Sequence, residues 1–253
     1  MTDAQPYAQH NSVRFGLKSP VVLMATACVV CFVGAIAYNS YLWYMSPLVA
    51  AARGDTEALL SWMRKHGASG RYRDWVTGIQ ETPLHAAVRS GKHDVVRSLL
   101  KNGADAFAID SLGVSPLMLS VRTFDDSARA DDIKQMVDIF TDAGVDLSHR
   151  HGPNGMTALH YAASTHYRAS VEILLRVGVA PNINDDRNRS PLHYSVMGAY
   201  FDSMDGATAV LLSFGADIHH SDMEGVTPLD IARQIGRSDA LLHLQSHAGG
   251  VTP

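Results

Sequence analysis

The side chains of this 253-residue chain that could do chemistry near neutral pH are its thirteen histidines. Imidazole binds metals and moves protons in that range. His149 with His151, and His219 with His220, form two close pairs. A zinc site needs three or four converging ligands held in place by further groups. Nothing in the spacing of the pairs supplies that convergence, so they read as titrating surface histidines, with a metal-binding protein that uses them as the alternative. Asp125, Asp126, Asp131 and Asp132 suggest calcium, but the glycine of a calcium loop is missing and the spacing is wrong, which leaves a solvated acidic loop. Cys28 and Cys31 share a helix face at i, i+3 inside an apolar run and read as small packing residues. No G-x-S-x-G, Walker A, G-x-G-x-x-G or H-E-x-x-H occurs. The chain is therefore not expected to be an enzyme, to hold a cofactor or metal, or to bind a small-molecule substrate. With 21 basic against 25 acidic residues and a net charge of −4, it lacks a nucleic-acid footprint.

The elements that would position these side chains are clearest from Thr82 to Asp105, TPLHAAVRSGKHDVVRSLLKNGAD. Thr82 is an N-cap, and Pro83 takes the first helical position, where a missing N–H costs nothing. Leu84, Ala87 and Val88 make one apolar face, and Gly91 breaks the helix. Val95, Val96, Leu99 and Leu100 make a second face, and Gly103 stands where a helix ends at positive φ. Two helices of about two turns each cannot hide such faces alone, so the unit needs neighbours.

The chain supplies them. A Thr or Ser ahead of a Pro-Leu or Ala-Leu pair recurs at Ser46, Thr82, Ser115, Thr157, Ser190 and Thr227, with spacings of 36, 33, 42, 33 and 37. Gly67-Ala68, Gly103-Ala104-Asp105, Gly144-Val145-Asp146, Gly178-Val179-Ala180 and Gly215-Ala216-Asp217 follow downstream. A base period of 33 with these motifs resembles the ankyrin repeat family. The resemblance covers residues 46 to 247 and implies an all-α ankyrin-repeat solenoid. About six helix-turn-helix repeats would start near residues 46, 82, 115, 157, 190 and 227, with β-hairpin-like fingers projecting from them. It also implies that His85, His160 and His193, each fourth in its motif, make structural hydrogen bonds within and between repeats, and that the work is protein recognition through fingers and concave groove.

The array departs from regularity in places that could carry such recognition. The first finger is long, with Gly67 to Thr82 spanning 15 positions against 12 from Gly103 to Ser115. It holds Arg71, Tyr72, Arg73 and Trp75. The two aromatics either pack back on repeat 2 or the lipid surface, or serve as a binding hot spot. On the second reading, replacing Tyr72 and Trp75 with Ala weakens partner binding and leaves melting nearly unchanged. The other candidate contacts are Ile109, Leu112, His149, Arg150, His151, Asp186, Arg187, His219, His220 and Met223. Repeat 3 carries about nine extra residues around Thr123 to Asp132, and repeat 5 a smaller insertion around Tyr200 to Gly206. Asn188 replaces the usual turn glycine, and Asp230 replaces the motif histidine in a last repeat that looks like a cap ending at Gln245.

Ahead of the repeats, residues 1–20 read as a disordered tail and residues 248–253 as another. Val21 to Met45 contains no charged residue. Its 25 residues make a helix about 37 Å long, enough to cross a hydrocarbon core of about 30 Å. Tyr38, Tyr41, Trp43 and Tyr44 gather at its C-terminal end like an interfacial belt. A single transmembrane helix over 21–45 is the favoured reading, and a signal peptide cleaved after Ala37, in Ala35-Ile36-Ala37, is the alternative. Arg14 and Lys18 precede the segment, which places the N-terminus in the cytoplasm and the repeats on the extracytoplasmic side. The chain thus reads as a membrane-anchored ankyrin protein of bacterial, periplasm-facing type. Its partners would be another protein and, through residues 21–45, the lipid bilayer. Freed by cleavage, it would be a soluble periplasmic inhibitor, immunity or stress-protective factor.

Overall fold

The computed structural model of the chain describes residues 47–73, 78–121, 130–150, 154–165, 167–198, 205–236 and 238–248. All belong to the compact unit Ser46–Pro253. The tails 1–20 and 249–253, the apolar segment 21–45, and Trp75, Asp125, Asp126 and His151 lie outside the described residues. Among the described residues no helix is long and apolar enough to cross a membrane.

Twelve described helices come in pairs: α1 (Pro47–Arg53) with α2 (Thr56–His66), α3 (Pro83–Arg89) with α4 (His93–Lys101), α5 (Pro116–Ser120) with α6 (Ala130–Asp142), α7 (Ala158–Ser164) with α8 (Arg168–Arg176), α9 (Pro191–Met197) with α10 (Asp205–Ser213), and α11 (Pro228–Gln234) with α12 (Ser238–Ala248). The first helix of each pair contacts the first helix of the next, and the second helices contact one another in the same order. The result is two layers in which a repeat touches its neighbours and little else, the linear architecture of a solenoid.

The first helices are only five to seven residues long, too short to persist in water by propensity. They exist because their starts are capped and their faces are covered. Ser115 Oγ accepts the Met118 N–H at 3.2 Å, and Thr227 Oγ1 accepts the Asp230 N–H at 3.2 Å. A proline follows each of these caps at a position with no N–H to satisfy. The motif leucines Leu84, Leu117, Leu159 and Leu192 are fully buried, and Ala86, Ala87, Ala162 and Ala163 let neighbouring helices approach closely. Leu229, in the last described repeat, is only half-buried, because no further repeat stacks on it among the described residues.

Four local features differ from the sequence expectation. Asp131 and Asp132 are not in a loop. Helix α6 begins at Ala130, so both carboxylates sit in its first turn, where exposed N–H groups favour negative charge. Helix α10 likewise starts at Asp205, inside the expected insertion, and α12 runs past Gln245 to Ala248. Only the first finger pairs strands among the described residues: β1 (Tyr72–Arg73) runs antiparallel to β2 (Gln80–Glu81), with Tyr72 opposite Glu81. Its extra residues give it the length to do so. The second, fourth and fifth fingers are tight turns. Asn188 takes φ 59°, a turn conformation that asparagine tolerates, and its amide donates to Ser221 O at 2.8 Å in the next finger.

Candidate functional site

His85, His160 and His193 are wholly buried and repeat one geometry. Their Nε2 atoms lie 3.0, 2.9 and 3.1 Å from the carbonyls of Val114, Arg189 and Val226, each the residue before the next repeat's cap. A carbonyl only accepts, so Nε2 carries the proton. Nδ1 is then the acceptor. It receives the backbone N–H of Thr82, Thr157 or Ser190 at 3.1 to 3.2 Å and the hydroxyl of the same residue at 2.8 to 2.9 Å. A second proton would face a fixed N–H donor. Burial, the largest cause, lowers all three pKa values, that of His160 to about 4. These neutral imidazoles fasten one repeat to the next. Asp230 performs the within-repeat half of this task in the last repeat, accepting the Thr227 hydroxyl at 2.6 Å and N–H at 3.2 Å. Those bonds, the hydroxyl's first, hold its carboxyl below the usual range. In repeat 3, Met118 stands in place of histidine, and the junction to repeat 4 instead has the Ser170 hydroxyl donating to Val121 O at 2.8 Å.

Sequence reasoning missed the aspartates that shape the fingertips. Oδ1 of Asp110, Asp185 and Asp222 each accepts two backbone N–H groups, two and four residues ahead, at 2.8 to 2.9 Å. The available signal was an Asp five residues before the Ser or Thr cap of repeats 3, 5 and 6. Neighbouring tips are joined by single backbone bonds: Ser111 N–H to Gln80 O at 2.9 Å, Asp186 N–H to Asn154 O at 3.1 Å, and Met223 N–H to Arg187 O at 3.0 Å. Asp185 is also bound by the Tyr194 hydroxyl at 2.6 Å and Arg189 Nε at 3.0 Å. Burial alone would raise its pKa. The Tyr194 hydroxyl, the two N–H groups and the guanidinium outweigh that and lower it, while burial and Asp185 raise that of Tyr194.

The first finger uses its side chains internally. The Tyr72 hydroxyl donates to Glu81, which is fully buried and also pairs with Arg89. The Tyr72 ring meets Trp62 edge-on at 6.1 Å, and Trp62 stacks on His66 at 4.2 Å. This corrects the expectation that changing Tyr72 would leave melting unchanged: the residue satisfies a buried carboxylate. Arg71 is exposed, and Arg73 donates to Gly78 O at 3.3 Å within its own hairpin.

The remaining sequence candidates fall into two groups. Arg150 reaches across to repeat 4, donating to Asn184 O at 2.5 Å and pairing with Asp186 at 3.4 Å. The Asp186 carboxylate lies over Gly155, leaving no room there for a Cβ. His149 stacks on Phe107 at 4.1 Å, Ile109 is half-buried, and His220 points Nε2 at Asn188 O at 2.9 Å. These serve the contact between fingers. Leu112, Arg187, His219 and Met223 instead project outward. Among the described residues no three His, Cys, Asp or Glu side chains converge on a metal position.

Arg187 and Met223 share a groove of about 720 Å³ under the tips of the fourth and fifth fingers. Its apolar lining is Met197, Met223, Val226, Ile231 and Ile235, on finger 5, α9 and the α11 end. Met223 is 74% exposed, Ile235 46% and Met197 40%. Arg189 and Asp222 line it too, but their charges are engaged in the fingertip bonds described above. Arg187 and Glu224 form no ion pair among the described residues. The sequence did not bring Met197, Ile231 or Ile235 to notice, because each sits in a helical pattern that reads as core.

A family model of ankyrin repeats, three copies, matches residues 27–110, 48–130 and 124–206. The last match stops at 206, whereas α10 to α12 carry the same architecture on to Ala248. The ankyrin repeat protein FPV031 of Fowlpox virus (strain NVSL) is 32% identical over 170 residues, 65% of this chain and 47% of that protein. The nuclear factor NF-kappa-B p105 subunit of Gallus gallus is 30% identical over 176 residues, 69% of this chain and 17% of that protein. The B-cell lymphoma 3 protein homolog of Mus musculus is 27% identical over 200 residues, 76% of this chain and 43% of that protein. The chain spans less than half the length of each of these three relatives.

Proposed function

The chain belongs to the ankyrin repeat family, and we propose that it works as a protein–protein interaction module, without enzymatic activity, that is held at a membrane by residues 21–45. The groove under fingers 4 and 5 is where it takes its partner protein. The observation that carries this is the meeting of three exposed apolar side chains, Met197, Met223 and Ile235, in one depression of about 720 Å³. Solvated apolar side chains gathered in a concave site gain free energy when a partner covers them. The apolar run of 25 residues, immediately followed by helix α1, supports the anchor.

Two experiments test the two halves. Met223→Asp with Ile235→Asp in the full chain is expected to abolish recovery of the cross-linked partner from membranes. Undiminished recovery excludes the groove. For the anchor, the mature protein is expected to retain residues 1–37 by intact mass, and an alkaline phosphatase fused to the C-terminus is expected to be active. A mass showing loss of residues 1–37 overturns the anchor in favour of a cleaved signal, and an inactive fusion reverses the orientation.

A further inference from the structure

The groove also constrains the partner's chemistry. Fingertips 4 and 5 repeat one turn, so residues at equal offsets from Asp185 and Asp222 hold equivalent places one repeat apart. Two residues beyond each aspartate stand Arg187 and Glu224. Both are exposed, both line the groove, and neither forms an ion pair among the described residues. The other two charges there are already engaged: Arg189 by Asp185 and Tyr194, and Asp222 by two backbone N–H groups. Among the described residues, Arg187 and Glu224 thus bring one cation and one anion, neither in an ion pair, to the lining of the same groove with its apolar floor. Stacked helices lie about 8–10 Å apart, which sets the order of the spacing between the two charges.

We propose that the groove takes a peptide segment of the partner whose apolar side chains fill the floor, with an acidic residue against Arg187 and a basic residue against Glu224. This rests on the groove being the docking site. The mixed charge disfavours a polyanion such as a nucleic acid or an anionic lipid surface, because Glu224 would repel it at the place where Arg187 attracts it. A spacing of about 8–10 Å corresponds to about three residues of extended chain or about five to seven of helix. The charge order has a direction along the stack: acid towards finger 4, base towards finger 5. A segment with the same residues in reversed order, lying in the same chain direction, meets two like-charge contacts.

The test is selection of random dodecapeptides displayed on phage against the purified full chain, followed by binding measurements on synthetic copies of the enriched sequences. Enriched peptides are expected to carry an apolar core with one acid and one base. Exchanging the two charges in the protein, Arg187→Glu with Glu224→Arg, is expected to weaken them roughly tenfold and to favour peptides with the charges reversed. Peptides that bind the exchanged protein equally well, yet are lost with Met223→Asp, overturn the charge rule and leave the groove standing. Peptides that keep full affinity for Met223→Asp bind elsewhere and remove the groove itself. Enrichment of no sequence overturns the inference, while recovery of the cross-linked partner tests the groove separately.

Discussion

The first finger and the groove under the fourth and fifth fingers contain similar residue types put to opposite uses. The finger holds Tyr72, Glu81 and a nearby Arg89, and all three satisfy one another around a carboxylate with no solvent access. The groove holds Arg187, Glu224, Met197 and Met223, and these face water. By residue type alone the first finger looks like the better binding surface, since aromatics and arginines are enriched at hot spots. The difference shows that residue type marks capacity for interaction, and the fold decides whether that capacity is already used.

The largest expected effect of a single substitution lies in the finger. Arg89→Ala leaves Glu81 buried without its guanidinium and should cost about 3 kcal/mol in urea unfolding. A loss no greater than that of an ordinary surface change would make the finger as dispensable to the fold as the groove.

The imidazole joints should respond next, to acid. The folded state holds His160 neutral, with a pKa of about 4 against 6.5 for the free side chain. The unfolded chain therefore binds the extra proton between these values. The stabilisation is fully present above about pH 6.5 and is lost as pH falls to about 4. His160 alone accounts for about 3 kcal/mol, and His85 and His193 act in the same direction. Urea midpoints that do not fall across this window would mean that the joints open without cost.

Tyr72→Ala should follow at about 2 kcal/mol, from a lost hydrogen bond to a buried carboxylate together with the edge contact on Trp62. Met223→Asp should change stability by no more than about 0.5 kcal/mol while abolishing partner recovery. A similar loss of stability from both substitutions would erase the contrast between the two regions. The mildest probe is dilute peroxide with peptide mapping. Met223 should oxidise before Met197, and both well before the buried Met63, Met118 and Met136. Early oxidation of Met136 would show that the stack opens.

Much of the fold was legible because each repeat states its own boundaries. Ser or Thr caps, the following proline and the turn glycines fix where short helices start and stop. Period 33 then tells which residues hold equivalent places. Asn188 could be read in the same way, as the residue that takes a positive φ where glycine is usual. The site was less legible. Arg187 and Met223 were singled out as fingertip residues, but Met197, Ile231 and Ile235 were not. Their apolar character is the same as that of the buried Val196 and Ala232 beside them. Nor could spacing reveal that His149 and Arg150 serve contacts between fingers, since their partners Phe107 and Asp186 lie 42 and 36 residues away.

The sequence by itself determined the repeat, the two helices in each, and the cap residues Thr82, Ser115, Thr157, Ser190 and Thr227, because caps and turns are satisfied by residues within a few positions of one another. It also determined that His85, His160 and His193 are equivalent. Only the tertiary structure decided which polar and apolar groups remain unengaged once neighbouring repeats have stacked. Stacking buries Glu81, Asp185 and the motif histidines with partners brought from another repeat or another element. It leaves Arg187, Glu224 and Met223 exposed, because no further fingertip or helix among the described residues covers them.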